Sequence, residues 1–282
     1  MDGVYQVTVS FEGDDIYINS WNTSTVTVKS TIVLPEIKNY ALNSNYDVYL
    51  LDRAGSALDN AVVTFTFNNR DYDVVSDNNG KATFIIPADS GSYDIYVSNP
   101  VSGEKLSQKV NVIKRITENR DASFYYGNYL TYKIRVCNDD GEFAGNLEVR
   151  ITLNKKVHLL HTDNYGYVSL KIKLNAGKYV VTSEYKGFKV SNKITVKPTL
   201  ITKNVKAKKG KTVKFTAKLL SKNGKVLKSK KIIFKIKGKT YKAKTNKKGI
   251  ASIKIKNLKV GKYTVTAKYG KLKNKNRITV KR

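Results

Sequence analysis

Two histidines three residues apart, His158 and His161, are the first candidates for metal chemistry in this chain. Imidazoles that bind one metal ion must converge on a single point, usually with Cys, Asp or Glu partners. The surrounding residues predict a β-strand, on which positions i and i+3 face opposite sides of the sheet. Since no Cys or Glu stands at ligand spacing, the sequence predicts no metal site here and no cofactor.

Adjacent acidic residues in predicted turns, Asp14-Asp15 and Asp139-Asp140-Gly141, are the second candidate. Carboxylate oxygens are ligands of Ca²⁺, but an aspartate in a turn more often accepts hydrogen bonds from its own backbone. We favour turn chemistry and leave calcium open for residues 31–197. The sequence contains no G-x-S-x-G motif, phosphate-binding loop or paired-carboxylate cleft, so it predicts no catalytic residue and no enzyme.

The charge of the chain is concentrated in its last 85 residues. Residues 198–282 contain 30 Lys and Arg and no Asp or Glu, whereas residues 1–197 contain 22 basic and 22 acidic residues. Around Phe234 and Ile253 the lysines alternate with apolar residues, which predicts strands with one apolar face and one basic face. The predicted polyanion-binding residues are Lys235, Lys237, Lys239, Lys242, Lys244, Lys254 and Lys256.

Almost all of these cations are Lys, a mobile point charge suited to diffuse polyanions, whereas Arg provides the fork used for specific phosphate recognition. Nucleic acid is one such polyanion. The aromatic residues of this segment stand at positions that are also apolar elsewhere in the chain, which favours core packing over base stacking. We therefore expect a diffuse polyanion as partner and favour one other than nucleic acid, which stays the alternative. The aromatic residues concerned are Phe215, Phe234, Tyr241, Tyr263 and Tyr269.

One pattern recurs four times and predicts how these residues are positioned. It reads Gly-x-Tyr, then alternating apolar and polar residues, a turn, and a closing Val-x-Val or Ile-x-Val strand. Alternation on both sides of a turn is typical of a half-buried antiparallel hairpin. The four copies are Asp2–Lys29, Ser90–Lys114, Asn175–Lys197 and Val260–Lys281.

Glycines at three landmark positions recur with nearly constant spacing along the chain. Successive spacings are 86 and 83 residues for the first two landmarks and 86 and 84 for the third. Such agreement predicts three repeats, at 31–114, 115–197 and 198–282, after a closing hairpin of a truncated repeat at 1–30. We expect the turn glycines to adopt positive φ. The landmarks are Gly55, Gly141 and Gly224; Gly80, Gly166 and Gly249; and Gly91, Gly177 and Gly261.

Each repeat contains about seven short alternating runs separated by Gly, Asn or Asp turns. This pattern predicts an all-β fold of tandem immunoglobulin-like β-sandwich domains. Linkers are almost absent, and Pro198 stiffens the last junction. We therefore expect the domains to be arranged end to end as a monomeric rod.

The motifs carry a resemblance to a known family. Asp52–Phe65, Ser76–Thr83 and Gly91–Val97, with their counterparts in both later repeats, resemble the bacterial-type Ig-like domains of surface adhesins and invasins. The Lys- and Asn-rich composition of the last repeat is similar to adhesin-like repeat proteins of methanogenic archaea. The resemblance implies a cell-surface stalk or adhesin. In a surface array of this kind, we expect the basic repeat at 198–282 to dock on an anionic cell-wall polymer or another surface glycan of its own cell. Family resemblance specifies fold more than partner.

Localisation and covalent chemistry complete the expectations. No apolar run is long enough for a transmembrane helix. The N-terminus lacks a signal peptide, which fits a fragment of a longer extracellular protein. Lone Cys137 excludes an internal disulfide and is predicted to be a buried filler. Lys–Asn isopeptide bonds need a nearby carboxylate, so they are excluded by that route in residues 198–282 and remain open in the first two repeats.

Overall fold

The computed structural model describes residues 3–282, none of which is helical, and contains 26 strands. The predicted start of the first hairpin at Asp2 lies outside the described residues. A hairpin consists of β1 (Gly3–Phe11) and β2 (Ser20–Val28). Eight strands follow: β3 (Ile32–Val33), β4 (Asn39–Ala41), β5 (Asn45–Leu50), β6 (Val62–Phe67), β7 (Arg70–Val75), β8 (Lys81–Ile85), β9 (Gly91–Ser98) and β10 (Lys105–Ile113).

The same eight-strand series recurs twice more. The second series is β11 (Ile116–Thr117), β12 (Ala122–Tyr125), β13 (Leu130–Val136), β14 (Glu148–Leu153), β15 (Lys156–His161), β16 (Tyr167–Ile172), β17 (Gly177–Tyr185) and β18 (Phe188–Lys197). The third is β19 (Leu200–Thr202), β20 (Val205–Lys208), β21 (Val213–Leu219), β22 (Lys231–Ile236), β23 (Lys239–Lys244), β24 (Ile250–Ile255), β25 (Gly261–Tyr269) and β26 (Leu272–Lys281).

Strand order repeats with the sequence. Five-stranded sheets have the orders β4-β10-β9-β6-β7, β12-β18-β17-β14-β15 and β20-β26-β25-β22-β23. In each of them the first strand pairs in parallel with the closing strand, and the hairpins are antiparallel. The opposing sheets are β3-β5-β8 and β19-β21-β24, with β13 paired to β16 in the middle repeat. The fold is a tandem of immunoglobulin-like β-sandwiches, as the turn spacing predicted.

Each repeat has eight strands instead of about seven, and its first two strands belong to different sheets. β3 pairs with β5 in one sheet, and β4 pairs with β10 in the other. The chain divides into two compact units that do not follow the repeat boundaries. One unit runs to Thr117 and includes Val136–Leu147 and Asp163–Gly166, and the other contains Glu118–Arg135, Glu148–Thr162 and Tyr167–Arg282.

The alternation of apolar and polar residues places the cores between the sheets. In the last repeat Phe215 and Phe234 are fully buried, with ring centroids 6.0 Å apart in an edge-to-face arrangement. In the first repeat Phe65 lies between Tyr46 and Phe84 at centroid distances of 6.3 and 5.2 Å. Aromatic pairs at such distances contribute beyond their buried area, by about 0.5–1.5 kcal/mol. Each core is therefore assembled from strands of both sheets.

The landmark glycines serve two different purposes. Gly80 has φ +74, and a Cβ there would lie 2.4 Å from the Leu50 carbonyl oxygen, so no other residue fits this turn. Gly91 and Gly177 open strands β9 and β17 and have no positive φ. There a Cβ would approach the ring of the tyrosine two residues later to 3.2–3.3 Å. Positive φ occurs at Gly55, Gly80, Gly141, Gly166, Gly224, Gly249 and, at +151, Gly261, which opens β25.

The β1–β2 hairpin has the pairing register of the later hairpins. Gly3 is opposite Val28, as Gly91 is opposite Val112 and Gly261 is opposite Val280. Val7 and Val9 are exposed, whereas Ile95 and Val97 at the corresponding positions of β9 are fully buried. The assignment of residues 1–30 to a truncated repeat remains a proposal, supported by this shared register.

Arg115 anchors the start of the middle repeat by a buried network. Its side chain is 4% exposed; Nη1 lies 2.6 Å from Asp139 Oδ1, and Nε donates to the Leu42 carbonyl oxygen at 2.9 Å. The Asp139 carbonyl oxygen also accepts a hydrogen bond from the Ala41 amide, at 2.9 Å. Two remote segments of chain are thus joined by charge-assisted hydrogen bonds, which are stronger than neutral ones.

Cys137 is buried, as predicted, and burial raises the pKa of its thiol. Residues 3–282 provide no helix that could serve as a membrane span.

Tyr46→Phe is expected to leave the free energy of unfolding unchanged or raise it by about 1 kcal/mol. The Tyr46 hydroxyl is buried and has no hydrogen-bond partner among residues 3–282. Tyr40→Phe is the matched control, because its hydroxyl donates to the Ile37 carbonyl oxygen at 3.0 Å. That variant should lose about 1 kcal/mol in urea unfolding. Equal losses of unfolding free energy in both variants would contradict the assignment of the Tyr46 hydroxyl as a buried group without a hydrogen-bond partner among residues 3–282.

Alkaline unfolding gives a second readout of the same variant. Burial raises the pKa of Tyr40 to about 12. It raises the pKa of Tyr46 above its ordinary value of 10.0 by a larger amount than that of Tyr40. The unfolded chain releases these protons near pH 10, so stability is complete below that pH and falls as pH rises above it. The decline should be less steep in Tyr46→Phe than in the wild type.

Candidate polyanion-binding face

All 30 Lys and Arg side chains of residues 198–282 are exposed. The interior beneath them is apolar and contains, among others, Phe215, Ile232 and Ile278. No basic side chain of this repeat is taken into the core, so the charges do not interfere with its packing. The cations are available to solvent and to ligands.

The five-stranded sheet of the last repeat gathers many of these cations on its outer surface. Because side chains alternate between the faces of a strand, residues paired with one another across β20, β26, β25, β22 and β23 share a face. Two cations on each of β20, β22, β23 and β25, and four on β26, point outward. We call these residues the lysine face: Lys206, Lys208, Lys231, Lys235, Lys242, Lys244, Lys262, Lys268, Lys273, Lys275, Arg277 and Lys281.

The geometry of the sheet sets the spacing of the charges. Alternate residues of a strand are about 7 Å apart, and neighbouring strands are about 4.8 Å apart. Three pairs place cations directly opposite each other, namely Lys208 with Lys281, Lys231 with Lys244 and Lys268 with Lys273. Like charges in such positions destabilise a sheet. The fold therefore tolerates repulsion that a bound polyanion would relieve.

The middle repeat places opposite charges at corresponding positions. Glu184 is opposite Lys189 in the β17–β18 hairpin, and the Glu184 Oε1 to Lys189 Nζ distance is 3.5 Å. Lys268 and Lys273 occupy these positions in the last repeat. Glu148, opposite His161 at the start of β14, corresponds to Lys231 in β22. At two of the twelve positions of the lysine face, therefore, a lysine stands where the middle repeat has a carboxylate.

The seven predicted binding residues do not form one surface. Lys235, Lys242 and Lys244 belong to the lysine face, and Lys254 lies opposite Lys214 on the other sheet. Lys256 follows strand β24, and Lys239 opens β23 opposite the buried Ile236. Lys237 lies in the β22–β23 turn, with Nζ 5.2 Å from the centroid of the Tyr263 ring.

Nine residues of the lysine face were missed by sequence reasoning. They could have been identified from the alternation of side chains between the two faces of each strand, combined with the Gly-x-Tyr register that aligns β25 with β26. These residues are Lys206, Lys208, Lys231, Lys262, Lys268, Lys273, Lys275, Arg277 and Lys281.

Aromatic side chains are absent from the lysine face. Phe215 and Phe234 are fully buried, and Tyr241, Tyr263 and Tyr269 pack partly buried against the core. The outward positions between the cations are held by Ile233 and by Thr240, Thr264, Thr266 and Thr279. A base-stacking platform of the kind that binds single-stranded nucleic acid is therefore not formed on this surface of the last repeat.

The candidate metal ligands either lie apart from one another or already have hydrogen-bond or ion-pair partners. His158 is half-buried opposite Ile151, whereas His161 is exposed opposite Glu148, so the two imidazoles lie on opposite faces of β15. Asp139 is paired with Arg115. Asp14 Oδ1 accepts hydrogen bonds from the Ile16 and Tyr17 amides, which lower the pKa of this carboxyl. Within residues 3–282 no cluster of three or more His, Cys, Asp or Glu side chains is arranged to hold a metal ion.

Comparison with known proteins identifies a family model that matches the last repeat. Residues 195–281 match the family model of the bacterial Ig-like domain (group 1). The I9–I11 tandem of titin is 16% identical, with a TM-score of 0.34, over 88% of this chain and 98% of that fragment.

Two further similar structures are an adhesin and a fragment of intimin. A Ca²⁺-stabilized adhesin with which an Antarctic bacterium binds ice is 15% identical, with a TM-score of 0.25, over 99% of this chain and 82% of that one. The D0-D1 domain of intimin is 17% identical, with a TM-score of 0.27, over 58% of this chain and 98% of that fragment. No curated protein matches the sequence.

Proposed function

Because residues 195–281 match the family model of the bacterial Ig-like domain, we propose that the chain is a non-enzymatic, extracellular surface protein of the adhesin or stalk type. Its last repeat docks on an anionic cell-wall polymer. The preceding repeats, whose charges balance, project a binding region away from that surface. Tandem sandwiches suit this task since each repeat adds length without requiring new chemistry.

The observation that carries the proposal is the lysine face, which gathers twelve cations on one sheet of a repeat without Asp or Glu. Eleven of the twelve are Lys. The ammonium group is a compact charge on a flexible stem, so an array of lysines binds an irregular polymer without demanding one geometry. A carboxylate- or phosphate-rich wall polymer has this character.

The like-charged pairs of the lysine face couple binding to stability. A polyanion that lies across Lys268 and Lys273, or across Lys231 and Lys244, neutralises repulsion that exists only in the folded sheet. A ligand that binds only the folded state raises its stability. Thermal unfolding of the last repeat should therefore shift upward in the presence of the polymer.

Nucleic acid is the competing partner, since any basic surface attracts phosphate. The lysine face has no aromatic side chain for stacking, and Arg277 is its one guanidinium. Sequence-specific readout usually relies on bidentate Arg and on Asn or Gln at base edges. The expected order of affinity for the full chain is thus wall polymer above DNA.

The test uses the full-length chain with five substitutions on the lysine face: Lys231, Lys235, Lys242, Lys268 and Lys275 to Gln. The matched control carries five Lys→Gln substitutions elsewhere in the repeat, at Lys214, Lys218, Lys247, Lys248 and Lys254. Both variants have the same net charge. Binding to purified cell wall and to double-stranded DNA is measured by sedimentation across a salt series.

We expect the lysine-face variant to lose about tenfold or more in wall affinity and to show a shallower salt dependence, because fewer counterions are released. The control should lose less than about threefold. Equal losses would mean that net charge alone acts, and tighter binding to DNA than to wall would transfer the function to nucleic acid. Either outcome overturns the proposal.

A further inference from the structure

A cleft of about 340 Å³ lies within the second unit, where the middle repeat continues into the last. Its volume is in the range of small-molecule sites, which are usually about 300–1,000 Å³. Its walls come from the loop after β12, the loop before β17, the Pro198 linker and the tip of the β25–β26 hairpin. The residues that matter are Tyr126, Asn175, Thr199, Lys271, Lys273 and Asn274.

The two junctions differ at equivalent positions. The amide of Cys137 donates to the Arg115 carbonyl oxygen, and the amide of Leu220 donates in the same way to that of Thr199. Arg115 and Thr199 are therefore counterparts. The long Arg115 side chain is 4% exposed and reaches the Leu42 carbonyl oxygen. Thr199 has a much shorter side chain and, although it is also buried, it lines the hollow at the last junction.

The chemistry of the lining suits a sugar ring. Tyr126 is half-buried and offers an aromatic surface, and Asn274 Nδ2 donates to the Leu200 carbonyl oxygen at 3.2 Å. Asn175 adds a second side-chain amide, and an amide can both donate to and accept from hydroxyl groups. A mixture of aromatic surface with a few polar groups that fix orientation is typical of ligand sites.

The charge around the cleft favours an acidic ligand. Lys271 and Lys273 line it, and Lys173 lines an adjoining hollow that shares Tyr126 and Asn175. No Asp or Glu is among the lining residues of either hollow within the described chain. Ammonium groups near a carboxylate of the ligand would form charge-assisted hydrogen bonds, which are about twice as strong as neutral ones.

The cleft is continuous with the lysine face. Lys273 lines the cleft and also stands opposite Lys268 on the outer surface of the five-stranded sheet. A polymer whose acidic sugar unit lies in the cleft can extend from Lys273 along β26 toward Lys275 and Arg277. We propose that this cleft is a binding site for an acidic sugar unit, and that it gives the basic repeat selectivity for a sugar-containing polyanion. This inference rests on the proposed function.

The test compares two probes of matched charge with the full-length chain. One is an oligomer of hexuronic acid, which has sugar rings, and the other is linear polyphosphate, which has none. The cleft variant is Tyr126→Ala with Lys271→Gln. The control variant is Tyr165→Ala with Lys211→Gln, which makes the same chemical changes at exposed positions outside the cleft.

We expect the cleft variant to lose about tenfold in affinity for the hexuronate oligomer, the equivalent of about 1.4 kcal/mol. Its affinity for polyphosphate should remain within about twofold, as should both affinities of the control. Chemical shifts of an NMR-labelled chain must confirm that the variant is folded. Equal losses of affinity for both probes, or no loss for either, would overturn the proposal that the cleft binds an acidic sugar unit.

The proposed function and the cleft fail in different ways. If the lysine-face variant keeps wild-type wall binding while the cleft variant loses hexuronate, the proposed function fails and the cleft stands. If the lysine-face variant loses wall binding while the cleft variant keeps its preference for hexuronate, the cleft fails and the proposed function stands.

Discussion

Phe234→Ala is expected to destabilise the last repeat by about 3–5 kcal/mol, the usual range for a buried phenylalanine replaced by alanine. Phe234 is fully buried in the middle of β22, where it pairs with Tyr241 on one side and Ala267 on the other. The lost ring also removes the edge-to-face contact with Phe215 at 6.0 Å. A domain of this size has a stability of only about 4–13 kcal/mol, so this loss is a large share of it.

Phe234→Ala also tests whether wall binding needs the ordered lysine face or only the positive charge of the segment. The substitution changes no charge, so all 30 cations of residues 198–282 remain. If the ordered lysine face is needed, wall affinity should fall as the last repeat unfolds on warming. Wall binding that persists above the unfolding temperature would show that an unordered basic segment suffices.

Phe65→Ala provides the matched control in the first repeat. Phe65 is fully buried and stands opposite Val97, as Phe234 stands opposite Ala267 in the last repeat. It should cost a similar free energy of unfolding, about 3–5 kcal/mol, and leave the affinity for wall unchanged. Calorimetry of the three chains would assign each lost transition to its repeat.

Asp139→Ala is expected to be the second large effect, at about 2–4 kcal/mol. It removes the carboxylate 2.6 Å from Arg115 Nη1 while the guanidinium stays 4% exposed. A buried cation that loses its partner is costly, although the Asp139 side chain is 48% exposed, which lowers the value below that of a fully buried pair. Thermal unfolding of the first compact unit measures the loss.

Two further variants make this prediction specific. Asp140→Ala makes the same charge change at the exposed neighbouring residue and should alter stability by less than about 0.5 kcal/mol. The double variant Arg115→Met with Asp139→Ala should be more stable than Asp139→Ala alone, because no unpaired buried charge remains. A double variant less stable than the single one would indicate that Arg115 acts through packing and through its bond to the Leu42 carbonyl oxygen.

The sequence by itself determined the repeat, the strands and the charge. Period-2 alternation fixes which residues of β22 are buried, since a strand can place neighbours only on opposite faces. Gly-x-Tyr fixed the pairing of each closing hairpin, and the two adjacent strands of a hairpin are local in sequence. The absence of acidic residues after position 197 identified the last repeat as the basic one.

Tertiary structure alone decided which residues share a surface. Lys254 and Lys235 have the same local pattern, but β24 and β22 belong to different sheets, because sheet order depends on contacts between residues distant in sequence. The predicted binding set therefore divided between the sheets, and most of the lysine face was missed. The surroundings of Gly91 and Gly177 were likewise hidden, since a Cβ there would be crowded by a tyrosine side chain rather than strained by a turn.

The junctions show the same limit. Arg115 and Thr199 occupy equivalent positions, yet nothing in their local sequence indicates that one side chain enters a buried network and the other lines a cleft. That outcome depends on Asp139 and Leu42 near the first, and on the β25–β26 hairpin near the second. Local patterns specify each repeat, whereas the surfaces that repeats form together depend on packing between segments far apart in the chain.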